Sequence, residues 1–185
     1  MAILKIARMG HPVLLRRAEP VADPTAPEIR RLVADMIETM EDAGGAGLAA
    51  PQVHVPLRLF VFRVPPHRAS GELDDTPSGV QVLMNPIVKL LGEDIRPRWE
   101  GCLSIPGLRG QVPRHWRIFY AGVDAEGQPV AREASGFHAN VVQHEYDHLD
   151  GILYPMRVTD FSSFGFTEEL DRVAQAMALA GGVRP

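Results

Sequence analysis

The sequence predicts an α+β fold in which helices flank a mostly antiparallel set of strands. Three observations carry that reading. Apolar residues recur at helical spacing in three separated stretches. Between them lie short runs rich in β-branched and aromatic residues. Two such runs, RIFYAGVD (117–124) and QPVAREA (128–134), are separated by AEGQ, the mark of a hairpin.

Taken in order, the first helix is expected from Ala26 to Ala43. Ile29, Leu32, Val33, Met36, Ile37 and Met40 share one face, Thr25 with Glu28 has the form of a capping box, and Gly44 and Gly45 end the run. LRLFVFRV (57–64) reads as a strand. PPHRASGELDDTPSG (65–79), polar and rich in Pro, Gly and Ser, reads as an exposed loop. VQVLMNP and IVKLL resemble strand material interrupted at Pro86. A second helix should start near Ser135, a suitable cap, and run past His148 to end near Gly151. The third is TEELDRVAQAMALA (167–180), with Leu170, Val173, Ala174 and Met177 on one side and Gly181 and Gly182 as its stop.

The 185 residues suit one large domain, and no repeat or linker divides them, so residues 1–185 are expected to form a single catalytic domain. With 45% hydrophobic and 23% charged residues the chain has the composition of a soluble globular protein. A formal net charge of -4 argues against a nucleic-acid partner. No apolar run approaches the ~20 residues that span a bilayer, so no membrane is expected. Lys5, Arg8, Gly10 and Pro12 interrupt the first apolar residues, against a secretory signal. Cys102 is the single cysteine, which excludes an internal disulfide and fits a reducing cytoplasm.

The chemistry is concentrated in QHEYDHLDG (143–151). On a helix, His144 and His148 stand one turn apart on one face and can point two imidazoles at one metal ion. Glu145, rotated by ~100° from His144, is placed to reach a water on that ion. A third ligand is needed. One class of zinc proteases continues the pattern as HExxHxxGxxH, but here Tyr154 holds the last position. Another takes a glutamate from a later helix; Glu168 and Glu169 are candidates, although acidic residues suit any helix start. Cys102, in WEGCLSIPG (99–107), is the preferred donor, because a thiolate binds borderline metals strongly. One cysteine and two histidines then leave a fourth position open, as in a catalytic centre.

Three stretches in order, GAGLAAPQ (45–52), EGCLS (100–104) and QHEYDH (143–148), resemble the signature motifs of the peptide deformylases, and the likeness extends over nearly the whole chain. The resemblance implies removal of the formyl group from the N-terminal formyl-methionine of new polypeptides, with release of formate. It implies Cys102, His144 and His148 as metal ligands, Glu145 as general base and acid, and Gln52 with the Leu103 amide as holders of the formyl oxygen. The fold expected is of mostly antiparallel strands packed around a central HExxH metal-binding helix, with an N-terminal amphipathic helix and a C-terminal helix. Iron(II) is the expected metal, with zinc, nickel or cobalt as alternatives, and a metal-bound water is the expected nucleophile. Arg109, in PGLRG, matches an arginine near the family's peptide groove. After Asp171 only Arg172 and Arg184 are basic, so ribosome contact is expected to be transient at most.

Other residues carry weaker expectations. Gly45, Gly47 and Ala50 match the GxGxxA dinucleotide form, but a helix precedes it and Pro51 follows, so a nucleotide site is rejected. The small residues instead allow close backbone approach to a ligand, placing Gly45 and Gly47 in the substrate surface. Phe137 and Val141 are expected to line the methionine pocket. Asp147 is either an exposed helix carboxylate or, through a neighbour, the partner of a ligand imidazole. Asn140, one turn before His144, departs from the family's pattern. The rival readings are an HExxH metallo-endopeptidase and a metal-storage or redox-sensing module.

Overall fold

The computed structural model describes residues 2–179. Helix α1, Pro27–Asp42, buries Ile29, Val33, Met36, Thr39 and Met40. Its expected capping box does not form. Pro27 occupies the first turn and makes Ala26 the cap residue, and the Thr25 hydroxyl turns back to Asp23 at 2.8 Å.

Six strands among the described residues form one antiparallel sheet: β1 (Gly47–Ala49), β2 (Leu59–Val64), β3 (Ser78–Cys102), β4 (Ile105–Val123), β5 (Pro129–Ser135) and β6 (Phe164–Phe166). The first five run side by side in chain order, and β6 pairs with the start of β4, Leu108–Gly110. Strand β2 is buried on both faces. Leu59 and Val61 pack into the cluster formed with α1, while Phe60 and Phe62 pack with Tyr120, Phe137 and Val142 on the other side. That double burial accounts for its unbroken apolar run.

Strand β3 does not stop at Pro86. The register shifts between Met84 and Ile87, Asn85 takes a positive φ of 50°, and its side-chain amide bonds both main-chain groups of Val21. The strand then continues as a long two-stranded arm with β4, in which Pro97 faces Pro113. Its length was not expected from residues so rich in Gly, Pro and charge. The two-residue turn Leu103–Ser104 closes the arm, so Cys102 sits at its tip, paired with Ile105.

Helix α2, Gly136–Leu149, is buried along its whole length except at Tyr146. Ser135 is the cap residue by position, yet its hydroxyl donates to Leu73 O instead. The cap comes from Asp75, which accepts from Phe137 N at 3.0 Å and His138 N at 2.9 Å, and from Ser70 N at 2.9 Å. The segment 65–77 is therefore not simply an exposed loop, since its Asp75 is fully buried under the start of α2. Helix α3, Thr167–Leu179, leaves Val173 and Met177 about half exposed, so its expected apolar side is only partly covered. Its expected stop at Gly181 and Gly182 lies outside the described residues. Among the described residues, no helix is long and apolar enough to cross a membrane.

Candidate active site

The tip of the β3–β4 arm folds over the middle of α2 and brings Cys102 to His144 and His148. Their ligating atoms all lie within 4.8 Å of one another. Cys102 Sγ is 3.3 Å from His148 Nε2, and the two imidazoles stand 5.0 Å apart at 80°. Donors around a tetrahedral ion bound at ordinary Zn–S and Zn–N lengths are roughly 3.3–3.6 Å apart. One thiol and two imidazoles at this spacing suit a borderline divalent metal and not a magnesium-type ion, which seeks oxygen.

The surroundings hold the donors in place. His144 Nδ1 meets Glu100 Oε2 at 2.8 Å, which leaves Nε2 for the Cys102 side. Glu100 also accepts from Asn140 at 2.6 Å and from Nε and Nη2 of Arg114 at 2.7 and 3.0 Å. Arg114 reaches on to Asp147 at 2.7 Å, and Asp147 takes two bonds of 2.6 Å from Arg157. Burial opposes ionisation of Glu100, but Arg114 and His144 overcome it and hold the carboxyl well below its ordinary range. Burial and the neighbouring His144 charge press the His148 pKa far down. At His144 burial is outweighed by Cys102 and Glu100, so that ring is the one that favours a proton.

Glu145 is buried beside this group, and its Oε2 has no hydrogen-bond partner. Burial is the main cause that pushes its pKa up to about 7, with the His144 charge acting in the opposite direction. Strand β1 passes so close that a Cβ on Gly47 would collide with the Glu145 carboxylate. Gln52 is buried too. Its Oε1 accepts from Ala49 N at 2.8 Å, and its Nε2 donates to Ser104 Oγ at 3.1 Å and lies 3.4 Å from Cys102 Sγ.

Above these groups opens a cleft of about 410 Å³. Gly45, Gly47, Gln52, Leu103, Phe137 and Val141 line it together with Cys102, His144 and Glu145. His148 lies beneath the lining. Arg109 is outside it, 5.0 Å over the ring of Trp99, a lining residue, and paired with Asp171 at 2.6 Å. Glu168 and Glu169 are exposed at the start of α3, Glu169 paired with Arg172, and neither joins the Cys/His/His group. Tyr154 stacks on His144 at 6.2 Å and 26°.

The polypeptide deformylase family model matches residues 3–163. The chain belongs to that family. Peptide deformylase 1 of Bordetella pertussis is 50% identical over 166 residues, which is 89% of this chain and 93% of that protein. The peptide deformylase of Ehrlichia chaffeensis has 30% identity and a TM-score of 0.79, covering 94% of this chain and 96% of that one. A Met-Ala-Ser bound class I type b peptide deformylase from Acinetobacter baumannii gives 33% identity and a TM-score of 0.77 over 84% and 98% of the two chains.

Within this deformylase framework the sequence reading missed several residues that orient others. Of the two readings of Asp147 the exposed one fails, since it is buried and ion-paired and reaches the His144 ring only through Arg114 and Glu100. The carboxylate on that ring, which was not foreseen, is Glu100. A signal existed for Glu100, because residues two apart on a strand share a face, and Glu100 and Cys102 both project from β3 toward α2. Ser104, which orients Gln52, and Arg114, which follows Pro113 in QVPRHW, carried no such pattern.

Proposed function

We propose that this chain is a hydrolase that removes the formyl group from N-formyl-methionyl peptides, with residues 1–185 acting as one catalytic domain in the cytoplasm. The observation that carries this reading is the meeting of Cys102, His144 and His148 beside an unpartnered, buried Glu145 at the floor of one cleft. The names of its relatives, which share half their residues with it, point the same way.

Cys102 Sγ and one nitrogen from each of His144 and His148 would hold a divalent metal, iron(II) before zinc, nickel or cobalt. When bound, such an ion polarises water and the formyl oxygen and favours hydroxide near neutral pH. Glu145 accepts the proton of the attacking water at its free Oε2 and returns it to the departing amine. A carboxyl poised at about 7 is suited to both halves of that exchange. Gln52 Nε2 and the Leu103 amide hold the oxygen on which charge develops, and Ala49 N and Ser104 keep the Gln52 amide oriented. Gly45, Gly47, Phe137 and Val141 form the walls against which the methionine side chain packs, and Arg109 supports the groove through Trp99. Nascent chains are the partners, with no nucleic acid and only transient ribosome contact.

An endopeptidase using the same helix lacks its third ligand here: Tyr154 stands at one candidate position and exposed glutamates at the other. The test is formate release from formyl-Met-Ala-Ser by protein purified without air, with bound metal measured and acetyl-Met-Ala-Ser alongside. Turnover of the formyl peptide alone is expected. Glu145→Ala should keep its metal and lose roughly 10²–10⁴-fold in rate. Full activity in that variant would sink the assignment.

A further inference from the structure

Arg68 lies on the segment 65–77 and lines the same cleft as Cys102, His144 and Glu145. Its guanidinium stacks 4.2 Å from the centre of the Phe137 ring. The main chain holds it there: Arg68 N and Ala69 N both bond Pro65 O, and Ser70 N bonds the buried Asp75 carboxylate under α2. The residue is thus presented by a braced turn.

What distinguishes it is its partners. Arg109 is paired with Asp171, and Arg114 with Glu100 and Asp147. The Arg68 side chain has no hydrogen bond or ion pair among the described residues, only the aromatic face of Phe137. Of the carboxylates that line the cleft, Glu100 is already bonded to Arg114, Asn140 and His144, and Glu145 lies at the floor. Arg98 adds a second positive charge close by. Although Arg68 is exposed, desolvation beside the Phe137 ring, and then Arg98, depress its pKa, with the Glu100 charge acting in the opposite direction, so a further anion at the rim would favour its charge. A guanidinium already stacked on an aromatic ring has lost part of its rotational freedom and keeps its in-plane donors for a carboxylate.

We infer that Arg68 is a specificity-determining residue that favours formyl-methionyl peptides carrying an acidic side chain in the first positions after methionine. The inference rests on the deformylase reading and adds a substrate preference to it. The interaction lies at an open rim, so its effect is modest and falls on KM more than on kcat.

The experiment compares C-terminally amidated formyl-Met-Glu-Ser with formyl-Met-Gln-Ser, and formyl-Met-Ala-Glu with formyl-Met-Ala-Gln, on wild type, Arg68→Gln and Arg68→Lys. Wild type should favour at least one acidic peptide by roughly two- to fivefold in kcat/KM, the range of an exposed ion pair, with the preference shrinking in high salt. Arg68→Gln should bring that ratio to one, and Arg68→Lys should keep part of it. An acid-to-amide ratio of one in wild type, or a ratio unchanged in Arg68→Gln, overturns the inference. So does an equal slowing of acidic and amide peptides in Arg68→Gln, which is what a merely structural side chain would give. Wild type that turns over no formyl peptide overturns the deformylase reading instead, and this inference with it.

Discussion

Gly47 and Glu145 show how a single hydrogen can matter to a site. The carboxylate occupies the space in which any larger residue at position 47 would place its Cβ. Gly47→Ala must therefore move β1 or displace Glu145, and β1 is held by its pairing with β2 through Gly47–Phe62 and Leu48–Val61. The carboxylate is the part that yields, and if Glu145 is the general base proposed above, a shift of about 1 Å is expected to cost on the order of 10²-fold in rate. Steady-state formate release, with metal content measured, checks this; undiminished kcat would show that the strand gives way instead. A second residue sets a pH limit on stability. His138 is buried against Phe62 and Tyr120, and burial first, then Arg132, lower its pKa from 6.5 to about 4. Between those values the unfolded chain binds more protons than the folded one. Stability from this group is full above about 6.5 and is lost as the pH falls toward about 4, by at most roughly 3 kcal/mol. His138→Phe removes that titration, so its unfolding free energy should decline less steeply than wild type between pH 6.5 and 4.5. Parallel curves would refute the assignment.

At the scale of elements, what could be read from sequence followed periodicity. Helix α1 and the β4–β5 hairpin announce themselves because their patterns come from residues within the element. The β3–β4 arm does not: Pro97, Pro113 and Gly110 belong to a two-stranded arm whose support comes from across the pair and from β6. For the same reason the metal-ligand candidates were legible on α2, where spacing brings two histidines together, while Glu100 and Arg114 reach them only through the fold. Asp75 is the clearest case. In sequence it is one more polar residue in a loop; in the fold it caps α2 from 62 and 63 residues away. Asp75→Ala leaves two buried N–H groups of α2 and the Ser70 amide without that carboxylate. Loss of a cap together with unsatisfied buried donors is expected to cost about 2–3 kcal/mol. Urea denaturation measures it, and protease cleavage within 65–77 should accelerate if the segment depends on this anchor. A loss below about 0.5 kcal/mol would mean that Ser135 or water takes over the cap.

Across the whole molecule, one chain of charges ties the site to the frame. It runs from His144 through Glu100, Arg114 and Asp147 to Arg157, and so joins β3, β4, α2 and the short 3₁₀ turn Tyr154–Arg157 that follows α2. Two carboxylates and two guanidinium groups balance, and three of the four are almost fully buried. Removing one member strands the others. Arg114→Met fills similar volume but leaves Glu100 and Asp147 facing each other without the cation between them. Breaking a buried pair in this way costs about 3–5 kcal/mol, far more than a surface ion pair would contribute. Glu100 would also lose the main partner that offsets its burial, take up a proton more readily, and hold His144 less firmly. The expected result is a lower unfolding midpoint together with weaker metal retention against a chelator. Glu100→Gln in the same chain removes one stranded charge, so Arg114→Met with Glu100→Gln should lose less stability than the sum of the single variants. Additive losses, or a loss below 1 kcal/mol in Arg114→Met alone, would mean that apolar packing around α2 and not this charge chain holds the arm over the helix.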